Sequence, residues 1–317
     1  MGKPGKRRND SLDSGKLIER TGVAARKMEK ETLAADSGVK REKSGRKANF
    51  FNEQKRGCEK MKWEKCPVEV DYTGKVVVLT GAAGGIGSRI AMLFAQNGAS
   101  MLLVDKNEEM LRITREACGG TGKIVCMSTD LGEKGFSQKI VQKCKEEFGT
   151  AHVLIHCAAV ADGGSLCGLS EEDWDSTMKI DLKVPFLLSK QFANEIMIPA
   201  GCGVILNMAS QAGVVALDDQ PAYCVAKAGL IALTRSQAYE WGQFGIRAVA
   251  IAPTVIETAP ALTYWCGERA ARHISQIPVG RFGRPDEVAA ACLFLASDAA
   301  GMISGTTVML DGGYTIR

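Results

Sequence analysis

Two residues at helical spacing, Tyr223 and Lys227, are the first candidates for chemistry in this sequence. On a helix, residues four positions apart share one face. A phenol with a pKa of about 10 is a poor base at neutral pH, but a neighbouring ammonium stabilises the phenolate and lowers that pKa. Ser210 lies thirteen residues before the tyrosine, and its hydroxyl can hydrogen-bond the same substrate oxygen. The pattern predicts proton transfer at a substrate oxygen, with Ser210, Tyr223 and Lys227 as catalytic residues.

A glycine-rich segment near residue 80 predicts a cofactor site. The run Thr80–Gly87 follows a short β-branched stretch and precedes a helical pattern. Small residues let the backbone approach a pyrophosphate, and the helix N-terminus supplies free N–H groups and partial positive charge. A plain structural turn is the alternative, but the position between a strand and a helix favours dinucleotide binding. We therefore expect cofactor contacts from Gly81, Gly85, Ile86 and Gly87.

Two acidic residues follow the next two predicted strands. Asp105 lies 24 residues past Gly81, where a carboxylate can accept hydrogen bonds from the adenosine ribose and would repel a 2′-phosphate. This residue favours NAD over NADP, although the adjacent Lys106 would weaken the repulsion. Asp130 is placed to meet the adenine edge or to cap a helix, and both roles are compatible.

Apolar runs alternate with helical patterns from residue 75 almost to the end of the chain. Strands that alternate with helices of about 10–15 residues are typical of βαβ units on a parallel sheet. We predict an α/β fold, a single doubly wound Rossmann domain with about seven parallel strands flanked by helices. The predicted strands are Lys75–Thr80, Ser100–Asp105, Lys123–Ser128, Ala151–His156, Gly203–Met208, Ile246–Ala252 and Thr306–Leu310. The predicted helices are Gly85–Asn97, Asn107–Cys118, Lys134–Phe148, a long region Glu171–Ile198, Pro221–Phe244 and Pro285–Ser297.

The basic residues of this chain are concentrated near its N-terminus. Residues 1–60 hold 17 Lys and Arg against 9 Asp and Glu, whereas the remainder carries a net charge of −4. A segment this poor in large apolar residues cannot offset its ordering entropy, so we expect residues 1–60 to be a mostly disordered extension. It is either a functional tail or an upstream extension with Met61 as the working start. The predicted domain spans residues 61–317 and contains both the cofactor and the substrate sites.

Composition also limits the compartment and the partners. No apolar run reaches the length of about 18 residues needed to span a bilayer, and the N-terminus has neither a secretory nor a transit pattern. The 11 cysteines are odd in number and form no C-x-x-C pair, which favours reduced thiols in the cytoplasm over disulfides or a zinc site. We expect a small-molecule substrate, no metal, no membrane partner and no nucleic acid. The basic segment 1–60 leaves nucleic-acid binding open as an alternative.

These motifs together resemble the classical short-chain dehydrogenase/reductase family over residues 73–317. The resemblance implies that Tyr223 is the general acid/base, that Lys227 binds the nicotinamide ribose and that Ser210 polarises the carbonyl or alkoxide. It further implies that Ile256 and Thr258 contact the nicotinamide. It also implies a homotetramer with the Tyr223 helix and the C-terminal strand in its interfaces. The matching segments are Thr80–Gly87, Asp105, Asp130, Ser210/Tyr223/Lys227, Pro253 with Thr258, and Asp311-Gly312-Gly313.

Three positions depart from the family pattern. The usual Asn-Asn-Ala-Gly is the segment His156-Cys157-Ala158-Ala159, in which Ala158 is a further expected cofactor contact. Asp181 stands where the family has a fourth catalytic Asn, and Thr254 replaces the glycine of Pro-Gly. The Asn holds a relay water partly through its backbone carbonyl, so Asp181 can still serve or can alter the relay and its pH dependence. We interpret His156 as a structural residue, since no other histidine lies close to complete a metal site.

The substrate side resembles the NAD-dependent sugar-alcohol members of the family, such as D-threitol and D-arabitol dehydrogenases. Gln211 follows the candidate serine and offers a donor and an acceptor to a polyol hydroxyl, or it stabilises its own loop. The short segment Thr258–Ile277 is the expected lid, in which Arg272 either selects an anionic substrate or is a solvated charge. The segments that carry this resemblance are Ser210–Leu217, Glu240–Ile246 and Ala252–Thr258.

The predicted activity is oxidation of a secondary alcohol of a small polyol to a ketone with NAD, with Ser210, Gln211 and Tyr223 contacting the substrate. One alternative is a 3-oxoacyl thioester reductase, which usually uses NADP and is opposed by Asp105. A second is a cofactor-binding protein with impaired catalysis, to which His156 and Asp181 point. A third is a tail that tethers the enzyme to nucleic acid or to an anionic membrane.

Overall fold

The predicted strands pair into one parallel sheet. The computed structural model describes residues 70–161 and 163–316, which lie in the compact unit Glu69–Arg317. The expectations for residues 1–60 fall outside the described residues. Along the sheet the strand order is β3-β2-β1-β4-β5-β6-β7, with every neighbouring pair parallel. The strands are β1 Val76–Thr80, β2 Ser100–Asp105, β3 Ile124–Ser128, β4 Val153–His156, β5 Gly203–Met208, β6 Ile246–Pro253 and β7 Thr307–Leu310.

Helices connect successive strands and cover both faces of the sheet. Among the described helices, none has the length and apolar character required to cross a bilayer. The helices are α1 Gly85–Gln96, α2 Glu108–Ala117, α3 Phe136–Phe148, α4 Glu171–Met178, α5 Val184–Phe192, α6 Ile198–Ala200, α7 Pro221–Trp241, α8 Ala259–Tyr264, α9 Gly267–Ser275 and α10 Pro285–Ala296. Two π-helical turns, Lys179–Lys183 and Ala193–Met197, connect α4, α5 and α6. Short 3-10 turns are Gln211–Gly213, Gly242–Phe244, Asp298–Ala300 and Tyr314–Ile316.

The prediction of a doubly wound α/β domain is confirmed, and its strand bounds are nearly right. β2 and β5 have the predicted bounds, and the other strands differ by one or two residues. The long helical region predicted for Glu171–Ile198 is present, but the π turns interrupt it and it extends to Ala200. Pro185 lacks the N–H that an α-helix would direct to the carbonyl of Asp181, so a change of winding near this residue has a local cause.

Alternating side chains of β1 pack into two separate hydrophobic cores, one on each face of the sheet. Val77 and Leu79 pack on one face, in the core that contains α1 and α10. Val76 and Val78 point to the opposite face, where they meet residues of α3 and α5. Because successive residues of a strand point to opposite faces, a strand buried on both sides must be apolar throughout. The run VVVLT of β1 has that character, and all five residues are buried.

The carboxyl ends of β1 and β4 meet side by side, where the strand order changes direction. Thr80 pairs with His156 at this point, and the chain then enters the glycine-rich turn. Gly81 has φ of 70°, and a Cβ built there would lie 2.5 Å from the backbone N of Ala158. A Cβ on Gly87 would lie 2.0 Å from the carbonyl oxygen of Gly81. Glycine is therefore required at both positions, because the backbone itself fills the space of a side chain.

We predict that Gly87→Ala destabilises the protein although alanine is the better helix former. The clash with backbone should cost about 3 kcal/mol, the upper end of the usual range for overpacking, which outweighs the gain of about 1 kcal/mol in helix propensity. The matched control is Gly84→Ala, because Gly84 has φ of −74° and its Cβ would make an ordinary contact at 3.4 Å. Urea unfolding midpoints compare the two variants, and equal midpoints would contradict the steric argument.

Candidate active site

A cavity of about 820 Å³ opens at the carboxyl ends of the central strands. Its position beside β1 and β4 is where open α/β sheets bind ligands. The structure brings most of the residues selected from the sequence to its walls. The predicted residues that line it are Gly81, Gly85, Ile86, Gly87, Ser210, Gln211, Tyr223, Lys227, Ile256 and Thr258.

The glycine-rich end of the cavity has the features needed to hold a pyrophosphate. Gly84 precedes α1 as its N-cap and offers no side chain to satisfy the first N–H groups of that helix. These N–H groups and the helix dipole favour an anion at this end. A Cβ on Gly85 would lie 2.7 Å from Cγ2 of Thr258, so the turn and the β6 exit loop already touch. The residues present therefore fit the pyrophosphate of a nicotinamide dinucleotide, with Thr258 beside the turn and Ile256 also lining the cavity.

Asp105, Asp130 and Ala158 were expected at the cofactor, but they are not among the residues that line the cavity. Asp105 ends β2, where its Oδ2 accepts from the N–H of Ala83 at 3.1 Å and its Oδ1 from Asn107 at 3.0 Å. These bonds fix the carboxylate beside the glycine turn. Each oxygen retains a further lone pair for a ribose hydroxyl. Ala158 instead packs its backbone against Gly81.

Asp130 is exposed and forms a local turn. Its Oδ1 accepts from the N–H of Gly132 at 2.7 Å, and its carbonyl accepts from Glu133. The suggested role as a helix N-cap is wrong, because Gly135 occupies that position before α3. An Asp that bonds the backbone two residues ahead makes a turn by itself, and this competes with capping.

The candidate catalytic residues converge from β5 and α7. Ser210 follows β5, and its Oγ accepts from the N–H of Ala212 at 3.1 Å. Pro221 begins α7, so Tyr223 lies in the first turn and Lys227 one turn later on the same face. The Nζ of Lys227 lies 5.3 Å from the centre of the Tyr223 ring and donates to the carbonyl of Met208 at 2.9 Å. The predicted juxtaposition of phenol and ammonium is therefore present.

Opposing effects act on the pKa of Tyr223. Burial raises it, the ammonium of Lys227 lowers it, the carboxylate of Asp181 raises it, and a hydrogen bond with Ser210 lowers it. The net direction is upward from the ordinary value of a phenol. The ammonium of Lys227 lowers this pKa, as the sequence predicts, but burial is the larger effect. The resting hydroxyl is thus protonated and able to donate to a substrate oxygen.

Asp181 forms a buried ion pair with the catalytic lysine. Its side chain is fully buried, and its Oδ2 lies 3.1 Å from the Nζ of Lys227. Its Oδ1 accepts from the N–H of Val160 at 2.8 Å, which ties the loop after β4 to the π turn Lys179–Lys183. Burial alone would lower the pKa of Lys227, but the carboxylate reverses this and the net direction is upward. The sequence identified this position but gave no signal for the pairing.

His156 lies beneath the cavity and does not line it. It is 2% exposed, and its Nε2 lies 2.8 Å from the Oγ of Ser189 on α5. Burial, aided by the charge of Lys227, lowers the pKa of His156 to about 3, so the imidazole is neutral. Its neighbour Cys157 does line the cavity, and burial raises the pKa of that thiol to about 12. Neither side chain is an effective proton carrier near neutral pH.

Helices α8 and α9 lie in the segment predicted as the lid, and of the two alternatives for Arg272 its exposure agrees with the solvated charge. Arg269 lines the cavity, with its guanidinium carbon 4.4 Å from the Tyr264 ring centre, whereas Arg272 is exposed and not part of the lining. Arg269 lies in the first turn of α9, next to Tyr264 at the end of α8, whereas Arg272 lies about one turn further along the helix. Tyr264 and Trp265 line the cavity as expected for lid residues.

Sequence reasoning missed two further residues near the substrate end. Asp219 lines the cavity with φ of 58°, a left-handed conformation that Asp tolerates better than most residues. His273 on α9 is 5% exposed, and its Nε2 lies 3.3 Å from the Nε2 of Gln211. The spacing of Ala270, His273 and Ile274 marks an inward helix face and would have identified the histidine as buried.

Sequence comparisons agree with this geometry. A family model described as enoyl-(acyl carrier protein) reductase matches residues 81–315. An NAD-dependent glycerol dehydrogenase of Listeria innocua is 40% identical, covering 78% of this chain and 97% of that protein. A D-threitol dehydrogenase of Mycolicibacterium smegmatis is 41% identical, covering 80% and 98%. A 3-oxoacyl-[acyl-carrier-protein] reductase of Thermotoga maritima is 36% identical, covering 77% and 98%.

Solved structures show the same fold. Levodione reductase superposes with a TM-score of 0.75 at 29% identity, covering 78% of this chain and 99% of that one. A putative NAD(P)-dependent gluconate 5-dehydrogenase from Beutenbergia cavernae, with NADP bound at low occupancy, gives 0.74 at 28% identity with the same coverage.

We predict that Asp181→Ala lowers the free energy of unfolding by about 3–5 kcal/mol, because it leaves the buried ammonium of Lys227 without its counter-charge. The double variant Asp181→Ala/Lys227→Met should recover a large part of this loss, since no uncompensated charge remains. Urea unfolding at neutral pH measures both. A double variant no more stable than Asp181→Ala would show that the ion pair is not the cause.

Proposed function

Because this chain belongs to the short-chain dehydrogenase/reductase family, we propose that it oxidises a secondary alcohol of a small sugar alcohol to a ketone with NAD. It is an oxidoreductase acting on CH–OH groups. The observation that carries the proposal is the position of Ser210, Tyr223 and Lys227 in one cavity with the glycine-rich turn. Proton handling and cofactor binding thus share a single site.

Each of the three candidate catalytic side chains has a separate role in the proposed reaction. When bound, the nicotinamide cofactor supplies hydride transfer, while the protein orients the substrate and moves the proton. For reduction, the protonated phenol of Tyr223 donates its proton to the substrate carbonyl oxygen. Oxidation is the reverse step, in which the phenolate form of Tyr223 accepts the hydroxyl proton. Ser210 Oγ binds the same substrate oxygen and stabilises the charge that develops on it. Lys227 stabilises the phenolate because its ammonium is held in place by Met208 and Asp181.

A small polyol suits the substrate end of the cavity. Polar groups of Gln211, Asp219 and Gln220 line this end, and Trp265 supplies an apolar wall. The lid above it consists of two short helices, α8 and α9 of six and nine residues. The similarity to glycerol and D-threitol dehydrogenases supports the same substrate class for this chain.

NAD is the proposed cofactor within the nicotinamide class. The carboxylate of Asp105 at the end of β2 is held by two backbone N–H groups and would oppose a 2′-phosphate. The glycerol dehydrogenase relative is NAD-dependent, whereas one structural neighbour contains NADP. The fixed position of this carboxylate is the feature of this chain that favours NAD.

A second candidate is reduction of a 3-oxoacyl thioester. The Thermotoga maritima relative favours it, and the description of the matching family model also names a reductase of acyl groups on a carrier protein, although of enoyl groups. Asp105 opposes it, because such reductases usually use NADP and this carboxylate would repel the 2′-phosphate of NADP. A bulky acyl carrier would also have to pass the lid.

We further propose a cytoplasmic homotetramer. The nine cysteines of the described residues are all free, which agrees with a reducing compartment. The tetramer rests on the family resemblance, and light scattering of the purified full chain tests it.

We predict that Tyr223→Phe lowers kcat/KM by about 10²–10⁴-fold, the usual contribution of a general acid/base, without abolishing NADH binding. The assay follows NADH formation from four- to six-carbon polyols and glycerol, and NADPH consumption with a 3-oxoacyl thioester in parallel. Turnover of the thioester alone would overturn the polyol proposal. Absence of all turnover with retained NADH binding would favour a cofactor-binding protein.

We predict that Asp105→Asn improves use of NADP relative to NAD by about tenfold, equivalent to about 1.4 kcal/mol. The amide keeps the size of the side chain and removes the charge that repels the 2′-phosphate. The ratio of kcat/KM for the two cofactors measures this. A control at a distant exposed carboxylate, Glu171→Gln, should leave the ratio unchanged. An unchanged ratio in Asp105→Asn would exclude this carboxylate as the determinant.

A further inference from the structure

His273 is a buried polar residue at the junction of four segments. Its ring stacks on Tyr314 near the C-terminus, with 4.7 Å between ring centres and an angle of 22°. Trp265 of the lid lies 4.5 Å away and Phe282 lies 6.1 Å away. An imidazole enclosed by three aromatic rings has little freedom to turn, so its nitrogens have fixed directions.

The direction of Nε2 is set toward the residue after the candidate serine. The Nε2 atoms of His273 and Gln211 lie 3.3 Å apart. An amide nitrogen can only donate, so the imidazole Nε2 accepts and the ring proton resides on Nδ1. In this arrangement the NH2 group of Gln211 faces the imidazole, and the amide oxygen Oε1 faces away from it.

The other end of this amide has no hydrogen-bond partner among the described residues. Gln211 is 1% exposed, and its Oε1 is one of the buried polar atoms without a partner in that part of the chain. Only two of the residues that carry such atoms line the cavity, namely Gln211 and Thr254. Leaving a buried acceptor unpaired costs about 1–3 kcal/mol. A ligand hydroxyl that donates a hydrogen bond to Oε1 would remove this cost.

We propose that His273 is a positioning residue that orients the Gln211 amide, so that Oε1 accepts from a hydroxyl adjacent to the reacting carbon. The inference rests on the proposed alcohol oxidation and deepens it. Because Oε1 accepts and cannot donate, it favours an alcohol that carries a second hydroxyl over one that carries a carbonyl or methylene there. The contact also joins the lid helix α9 to the loop of Ser210.

The first test compares two four-carbon secondary alcohols, D-threitol and 2-butanol, with NAD. His273→Phe keeps an aromatic ring between Trp265 and Tyr314 but removes the acceptor nitrogen. We expect it to lower kcat/KM for D-threitol by about three- to tenfold, the effect of one neutral hydrogen bond, and to leave 2-butanol unchanged. The matched control is Tyr314→Phe, which keeps the stacked ring and loses the hydroxyl that contacts Gln276. The control should preserve the preference for D-threitol.

A double-mutant cycle separates positioning from packing. In a Gln211→Leu background, the change His273→Phe should cause no further loss of D-threitol preference, because the amide that it orients is absent. The same loss in both backgrounds would overturn the proposal. So would a His273→Phe variant that retains the wild-type preference.

A measurement without turnover distinguishes this inference from the proposed function. The chain has three histidines, so histidine-selective ¹⁵N labelling gives few signals, and His273→Phe assigns the one of interest. With NADH present, we expect D-threitol to shift the Nε2 signal of His273 in the wild type and not in Gln211→Leu. Failure of all NAD-linked alcohol oxidation would refute the proposed function alone if this shift occurs. No shift in the wild type would refute the role of His273.

Discussion

The site depends on one buried ammonium. Lys227 is 2% exposed, and its Nζ meets the carbonyl at the end of β5 and the carboxylate of Asp181. A charge in this position is stable only because both partners are fixed, the first by the sheet and the second by the π turn before α5. The same carboxylate holds the backbone of Val160 after β4. Three connections of the fold therefore converge on the group that stabilises the phenolate.

The doubly wound topology explains why these partners can be so close. Parallel strands end at one edge of the sheet, and the change of strand order between β1 and β4 leaves a crevice at that edge. Glycine occupies positions beside the crevice where neighbouring backbone leaves no room for a side chain, as at Gly81 and Gly87. Lid and catalytic loop then close the opposite end through Trp265 and Gln211. The glycine-rich turn, the candidate catalytic residues and the lid thus line one continuous cavity in the described unit.

Much of this arrangement could be predicted from the sequence. The strands could be predicted from the apolar runs because a strand buried on both faces requires apolar residues. The shared helix face of Tyr223 and Lys227 could be predicted from their spacing of four residues. The pairing of Asp181 with Lys227 could not be predicted, since it depends on the path of a π turn that no short-range pattern encodes. The lid shows the same limit, because the sequence left the role of Arg272 open and did not indicate that Arg269 would line the cavity. The alternative role of Asp130 as a helix cap is wrong because a local turn with Gly132 satisfies its side chain, and its expected contact with adenine stays a prediction.

The enclosure of the Lys227–Asp181 pair has a consequence for the response of the site to its surroundings. Dissolved ions screen charges that are separated by water over a distance of about 8 Å at physiological ionic strength, but they cannot enter a space that excludes solvent. The field that this pair exerts on the phenol of Tyr223 is accordingly screened by salt much less than the field of solvent-exposed charges. The proton affinity of the phenol is set by the fold, whereas the exposed carboxylates and arginines at the rim remain subject to the ionic atmosphere.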